Sequence, residues 1–293
     1  MATRQFSLLT LLALGLFSTD ACGQFLPTAT PTITLSLSSV SGSTPMNLAW
    51  HPDYQQYYGG RGGSSSYGGR VWDVNGNIVQ TLAPINTDLR SFFYNANNGN
   101  LENVAYNARS NANGYRTVTL DSNGLFTGNY INIGITLSGI PSDQPAPAFD
   151  ATRNLLYAFN TGSLVTVISP VTGLAVSTLT LDLAAAGSPA IPNYDIGYDP
   201  TNDALITYTT SGGARALAFS ATTGDFLASI TLPGSIDAPY DWRMGYANDQ
   251  LFIFNATSDS YQGFTITAVP EPASLGLMVV GLLSLAWLGR RYK

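Results

Sequence analysis

The sequence predicts an all-β exported domain, a five-bladed β-propeller, and three observations carry that prediction. Glycine-bearing hairpin turns recur at near-constant spacing. An aromatic residue followed by a turn residue recurs upstream of them. No stretch of the exported part has a convincing helical period, the nearest being the short Leu181–Ala186. Repeats of about 40 to 50 residues, each of about four short strands, are the signature of propeller blades. A β-sandwich of similar size is the alternative architecture.

The chain opens with a secretory signal peptide over residues 1–21. Arg4 supplies its positive end, Phe6–Phe17 its apolar stretch, and Thr19-Asp20-Ala21 a small-x-small cleavage site. Cys22 is the single cysteine, so no disulfide forms within the chain. Cleavage after Ala21 would expose Cys22 as a lipid-attachment cysteine. Thr19 and the charged Asp20 stand where such sites carry leucine and a small residue, which argues against that fate.

Residues 24–268 form the exported domain. Its turn glycines are Gly76, Gly124, Gly173 and Gly224, spaced by 48, 49 and 51 residues. Each sits in a strand–turn–strand segment such as Val118–Phe126, where glycine supplies the positive φ of a tight turn. The upstream marker reads Trp50-His51-Pro52, Phe149-Asp150 and Tyr198-Asp199-Pro200, and more loosely Phe93-Tyr94-Asn95 and Tyr246-Ala247-Asn248. Four units follow, over residues 46–85, 91–136, 146–183 and 194–232. A fifth starts near Trp242 and stops before its last strand. Thr32–Leu37 is a strand of period two with no partner of its own. It is expected to pair with Gly263–Thr267 as the outer strand of the fifth blade, because open sheet edges invite aggregation. The turns Asp121-Ser122-Asn123-Gly124 and Ser169-Pro170-Val171-Thr172-Gly173 resemble those of YVTN- or NHL-like propeller repeats. That resemblance implies architecture and carries no catalytic residue.

The last segment, residues 269–293, has three parts. Pro270-Glu271-Pro272 cannot continue a strand or helix, because each proline lacks the N–H and fixes φ. Ala273–Gly289 is uncharged and, at about 1.5 Å per residue, reaches roughly 25 Å as a transmembrane helix. Arg290, Arg291 and Lys293 form a positive stop. This tail resembles the PEP-CTERM sorting signal of exopolysaccharide-producing Gram-negative bacteria. The resemblance implies export, transient anchoring in the inner membrane, and processing near the Pro-Glu-Pro by an exosortase-type membrane transpeptidase.

Composition narrows the chemistry. The exported domain carries eight arginines, no lysine and sixteen carboxylates, a poor surface for phosphate contacts, so nucleic acid is excluded as a partner. His51 is the only histidine, which rules out a two-histidine metal site and leaves a nucleophile–base triad one possible base. Its place matches Asp150 and Asp199 in other repeats, so a turn-capping role is expected. No metal site and no cofactor are expected. Paired carboxylates for glycan cleavage need only be neighbours in space. Asp195, Asp199 and Asp203, and Asp237 with Asp241, are the candidates, although Asp199–Asp203 reads better as turn chemistry. Gly59–Gly69 is low-complexity and is expected to form a mobile hairpin tip. With Tyr54, Tyr57, Tyr58, Arg61 and Tyr67 it is the candidate ligand loop, tyrosines stacking on sugar faces.

The sequence-based expectation is therefore an exported, non-catalytic protein of the cell surface or matrix, associated with exopolysaccharide through propeller loops. The alternative is a propeller-fold glycan hydrolase or lyase using paired carboxylates.

Overall fold

The structure, a computed structural model, describes residues 24–42, 44–83, 85–187, 189–234, 236 and 241–267. The signal peptide, Cys22, Asp237, the Pro-Glu-Pro, the apolar tail and its basic end lie outside the described residues. Every regular element among the described residues is a strand, and Phe25–Ile266 form one compact unit.

The strands fall into antiparallel sets in chain order. β1 spans Phe25–Ser36 and β2 Thr44–Pro45. The first set is β3 (Ala49–His51), β4 (Gln56–Gly62), β5 (Gly69–Asp73) and β6 (Ile78–Ala83), with β2 also on β4. The second is β7 (Leu89–Asn95), β8 (Asn100–Ala105), β9 (Tyr115–Leu120) and β10 (Phe126–Asn132). The third is β11 (Ala148–Asp150), β12 (Leu155–Phe159), β13 (Leu164–Ile168) and β14 (Ala175–Thr180). The fourth is β15 (Gly197–Asp199), β16 (Ala204–Thr209), β17 (Arg215–Ser220) and β18 (Phe226–Thr231). β19 (Met244–Ala247), β20 (Gln250–Asn255) and β21 (Ser260–Thr267) complete the chain order.

β1 lies between β18 and β21, which merges the last two sets into one eight-stranded sheet. Thr32–Leu37 thus lies beside β21 as expected, in a strand that starts earlier, but against Asp259–Gly263 rather than Gly263–Thr267. The Gln262 side-chain amide donates to the Ile33 carbonyl at 3.2 Å, and Thr34 Oγ1 donates to Gln262 Oε1 at 3.0 Å. The earlier half of β1 also runs parallel to β18, Thr28 opposite Thr231, a contact the period-two pattern did not suggest.

All four turn glycines have positive φ, between 72° and 83°. Space as well as φ demands glycine there. A Cβ on Gly173 would meet the Thr136 carbonyl of the second set's trailing segment, and one on Gly224 the Thr180 carbonyl of the third. On Gly76 it would meet the Thr34 carbonyl of β1 at 2.9 Å. The turns of Gly76, Gly173 and Gly224 are thus seated against the outer edge of the preceding set, and that of Gly124 against Tyr54 and Gln56 of the first set.

The buried apolar residues form five clusters, each between neighbouring sets. Met46, Tyr58, Phe92 and Phe126 join the first to the second, and Tyr115, Leu156 and Ile168 the second to the third. Tyr157, Leu205 and Phe219 join the third to the fourth. Ile206, Ile230, Ile253 and Phe264 join the fourth to the last. Leu35, Leu48, Tyr57, Trp72 and Phe252 join the last, through β1, to the first. Exposed Leu82, Ile131, Val176 and Leu227 fall on the outermost strands, where the sheets meet solvent.

The glycine-rich stretch is a correction. Gly59–Gly69 is not a mobile tip: Gly59 pairs with Arg70 and Gly60 with Gly69 inside the β4–β5 ladder. A Cβ on Gly59 would enter the Leu48 side chain, and one on Gly60 or Gly69 that of Ile85. Glycine there permits close packing rather than motion. Only residues 63–68 form the loop between the strands.

Candidate functional site

The innermost strand of each set carries the aromatic of the sequence marker at one register position. Trp50 stands opposite Tyr57, Tyr94 opposite Leu101, Phe149 opposite Leu156, Tyr198 opposite Leu205, and Tyr246 opposite Leu251. All five line a single cavity of about 450 Å³. The inner strands converge there, and their glycines let them approach: a Cβ on Gly197 would stand 2.6 Å from that of Tyr246. Phe93 stacks on Phe149 at 5.0 Å, and Tyr198 on Tyr157 at 5.7 Å, so the collar is backed by further rings. Asn47, Thr152, Asn248 and Asp249 supply polar groups to the wall.

The residue after each aromatic governs the turn that follows. Asn95 Oδ1 accepts from the Asn97 amide at 3.0 Å, Asp150 Oδ1 from Thr152 at 2.8 Å, and Asp199 Oδ1 from Thr201 at 2.9 Å. These are Asx turns, and they explain why the marker pairs an aromatic with Asp or Asn. His51 takes the equivalent place, opposite Gln56, and is buried. Its ring lies 4.7 Å from both Tyr54 and Tyr94, and its Nδ1 has no hydrogen-bond partner. Burial holds the imidazole below its ordinary value, against the pull of Asp53 in the other direction. His51 does not line the cavity, and its Nδ1 does not cap the turn as expected; its ring packs among Tyr54, Tyr58 and Tyr94.

Three residues before each aromatic, the inner strands are tied to one another. The Phe92 amide donates to Asn47 Oδ1 at 2.8 Å, and the Met244 amide to Asp195 Oδ2 at 3.2 Å. Ser91 Oγ donates to the carbonyl of Pro147, which has no amide to offer, at 2.7 Å. Ala146 and Asp195 form a parallel bridge. Asp195 is fully buried and its other oxygen has no hydrogen-bond partner. Burial, and secondarily the charge of Asp241, pushes its carboxyl well above the usual range, while the amides it accepts pull the other way.

Among the described residues, the candidate carboxylates Asp195, Asp199, Asp203 and Asp241 do not line the cavity. Asp195 ties inner strands, and Asp199 is buried in its own turn. Asp203 faces Arg153, 2.7 Å away, on the surface between the third and fourth sets. Asp241 accepts from the Asn193 amide at 2.9 Å. Asp249, which was not among the sequence candidates, is the one carboxyl in the cavity wall. Burial raises it, and the neighbouring Asp199 adds to that. The signal for it was the short spacing Ala247-Asn248-Asp249-Gln250 after the fifth aromatic.

The tyrosine-rich loop does not gather into one surface. Tyr57 and Tyr58 are wholly buried, in the clusters on either side of the first set. Arg61 is buried and ion-paired with Asp259. Tyr67 is half-buried over residue 42, and the exposed Tyr54 lies against Gly124 of the second set. None of the five lines the axial cavity. Among the described residues no group of three or more His, Cys, Asp or Glu could hold a metal, and no helix is long and apolar enough to cross a membrane.

The PEP-CTERM protein-sorting motif matches residues 268–291. The chain therefore carries the address of an exported protein processed by an exosortase, a membrane protein. No curated protein matches the chain at a significant level. A solved structure shares its fold, and others are similar to it. Myxococcus xanthus glutaminyl cyclase is 9% identical with a TM-score of 0.51, over 84% of this chain and 99% of the cyclase. A gluconolactonase from Xanthomonas campestris is 12% identical with a TM-score of 0.43, over 84% and 97% of the two chains. A luciferin-regenerating enzyme is 11% identical with a TM-score of 0.40, over 82% and 96%. The expectation of a domain without catalytic activity is corrected by the cyclase: a protein of this fold is an enzyme, so the fold gives no ground for a non-catalytic reading.

Proposed function

We propose that this chain is a five-bladed propeller that binds neutral glycan, such as the exopolysaccharide of its producer, in the aromatic cavity on its axis. The observation that carries the reading is the convergence of Trp50, Tyr94, Phe149, Tyr198 and Tyr246 on that cavity. Aromatic faces suit the apolar C–H faces of a sugar ring, while Asn248 and Asp249 can meet its hydroxyls. In favour of five blades, the inter-set clusters number five and the last joins β1 to the first set. The proposed route begins with a signal peptide at residues 1–21 and passes through an inner-membrane intermediate held by residues 273–293. It ends at the cell surface or matrix of a Gram-negative bacterium. Pro270, Glu271 and Pro272 are the processing motif, and Arg290, Arg291 and Lys293 the stop.

A second reading, glycan cleavage by a hydrolase or lyase, is favoured by Asp249, a carboxyl in the cavity wall that its surroundings raise above the ordinary value. One experiment addresses both. The full chain in detergent micelles is titrated with the producer's purified exopolysaccharide while reducing ends are assayed. Binding that falls at least tenfold in Trp50→Ala and Tyr198→Ala, with unchanged melting temperature, supports the cavity. Binding insensitive to both variants sinks it. Reducing ends that appear with wild type and not with Asp249→Asn establish the second reading.

A further inference from the structure

The five inner turns, four of which reach the cavity wall, are not alike. Residues 52–55, 96–99, 151–154 and 200–203 are four-residue turns, each ending in a left-handed residue: Gln55 at φ 53°, Gly99 at 72°, Asn154 at 54° and Asp203 at 50°. The fifth has two residues, Asn248 and Asp249, both left-handed at 52° and 55°. Positive φ at both central residues defines the tightest hairpin connection, one that ends with its strands and projects nothing beyond them. Asn95, Asp150 and Asp199 brace three of the long turns by Asx hydrogen bonds, the turn after His51 is long without one, and Ala247 at the equivalent place has no group to brace a longer turn.

The shortening changes both the shape and the chemistry of the rim. Three of the four long turns contribute Ala96, Ala151, Thr152 and Pro200 to the wall, residues 52–55 contribute nothing to it, and the short turn contributes an amide and a carboxyl. Asn248 is fixed from behind, its Nδ2 donating to the Tyr57 hydroxyl at 2.8 Å. That contact leaves Asp249 at the lip. Its carboxylate offers two acceptor oxygens to neighbouring hydroxyls of a sugar, and it is the one carboxyl among the described turn residues of the wall.

We propose that Asn248-Asp249 is the open side of the cavity, over which a polysaccharide chain leaves when its terminal sugar sits among the aromatics. This rests on the glycan reading above and adds to it the direction and the end-on mode of binding. A rim raised at the fifth turn blocks the polymer and spares a ligand short enough to fit inside.

The test compares the producer's purified exopolysaccharide with the disaccharides and trisaccharides released from it by partial acid hydrolysis, each titrated calorimetrically into the full chain in detergent. One lengthened variant replaces Asn248-Asp249 by the fourth set's Pro-Thr-Asn-Asp. A second inserts Gly-Gly between Asn248 and Asp249 and decides the matter if the first does not fold. Asp249→Asn keeps the turn short. The expected result is a loss of at least tenfold in polymer affinity on lengthening, with short oligomers within about twofold of wild type. Asp249→Asn should weaken both ligands alike. Polymer affinity unmoved by a folded lengthened turn overturns the inference and leaves the glycan reading standing. Equal loss of polymer and oligomer overturns it too, because the turn is then only part of the pocket. Wild type that binds neither ligand sinks the glycan reading, and this inference with it.

Discussion

Replacing Asp195 by asparagine should remove the pH dependence that this one carboxyl imposes on stability. The unfolded chain releases the Asp195 proton near the ordinary value of 3.8, while burial keeps the folded carboxyl protonated to well above it. The folded state then holds the extra proton, so stability falls as pH rises above about 4 and levels off only at the folded pKa. The slope is about 1.4 kcal/mol per pH unit for one proton. The Asp195→Asn side chain would keep the oxygen that accepts from Met244 but place an amide N–H where the unpartnered carboxyl oxygen stands. The protonated carboxyl already carries its O–H on that oxygen, so at pH 4 the variant should lie within about 1 kcal/mol of wild type, and it should become the more stable of the two as pH rises. Urea unfolding of both proteins in half-unit steps from pH 4 to 7 measures this. Taking the difference cancels the other carboxylates, whose titration is common to both. Parallel profiles would refute the reasoning, since they would mean Asp195 ionises in the folded state as it does in the unfolded one.

Gly173→Ala should destabilise by well over 2 kcal/mol, since a positive φ and the Thr136 carbonyl both oppose a Cβ; Gly99→Ala, with open space at φ 72°, should lose only about 1–2 kcal/mol of backbone strain, and equal losses in thermal melts would remove the packing argument. Arg153 holds Asp203 below the usual carboxylate range, so this link between the third and fourth sets is complete above about pH 4 and lost as pH falls through the depressed pKa. Because both side chains are over a third exposed, Asp203→Asn should cost about 0.5–1 kcal/mol at pH 7 and nothing at pH 2 by the same melts, and a loss that persists at pH 2 would assign the contact to something other than charge. Deleting β1 should uncover the edges of β18 and β21 and produce concentration-dependent association in light scattering; a monodisperse, fully stable deletion would contradict the role of β1 as the strand between them.

The features legible in the chain were those set by local backbone rules. Glycine spacing located the turns, because only glycine accepts both the positive φ and the close carbonyl at Gly76, Gly173 and Gly224. The aromatic-Asp marker located the inner strands, because an Asx turn is a contact between near neighbours in sequence. Thr32–Leu37 lacked a local partner, which pointed it toward β21, although its parallel contact with β18 left no trace in a period-two pattern. The sorting tail was legible because its parts act in order along the chain and need no fold. The site itself came from tertiary structure alone. That five aromatics from five strands, distant in sequence, line one cavity is a property of the way the inner strands converge, and no spacing encodes it. Tyr57 and Tyr58 read as ligand groups in sequence because composition does not report which face of β4 is covered. The glycines beside them read as flexible because a missing Cβ looks the same whether it permits motion or permits Leu48 and Ile85 to pack close. Asp195 and Asp249 owe their altered acidity to burial by residues far along the chain, and burial is a relation between segments that a linear sequence does not contain.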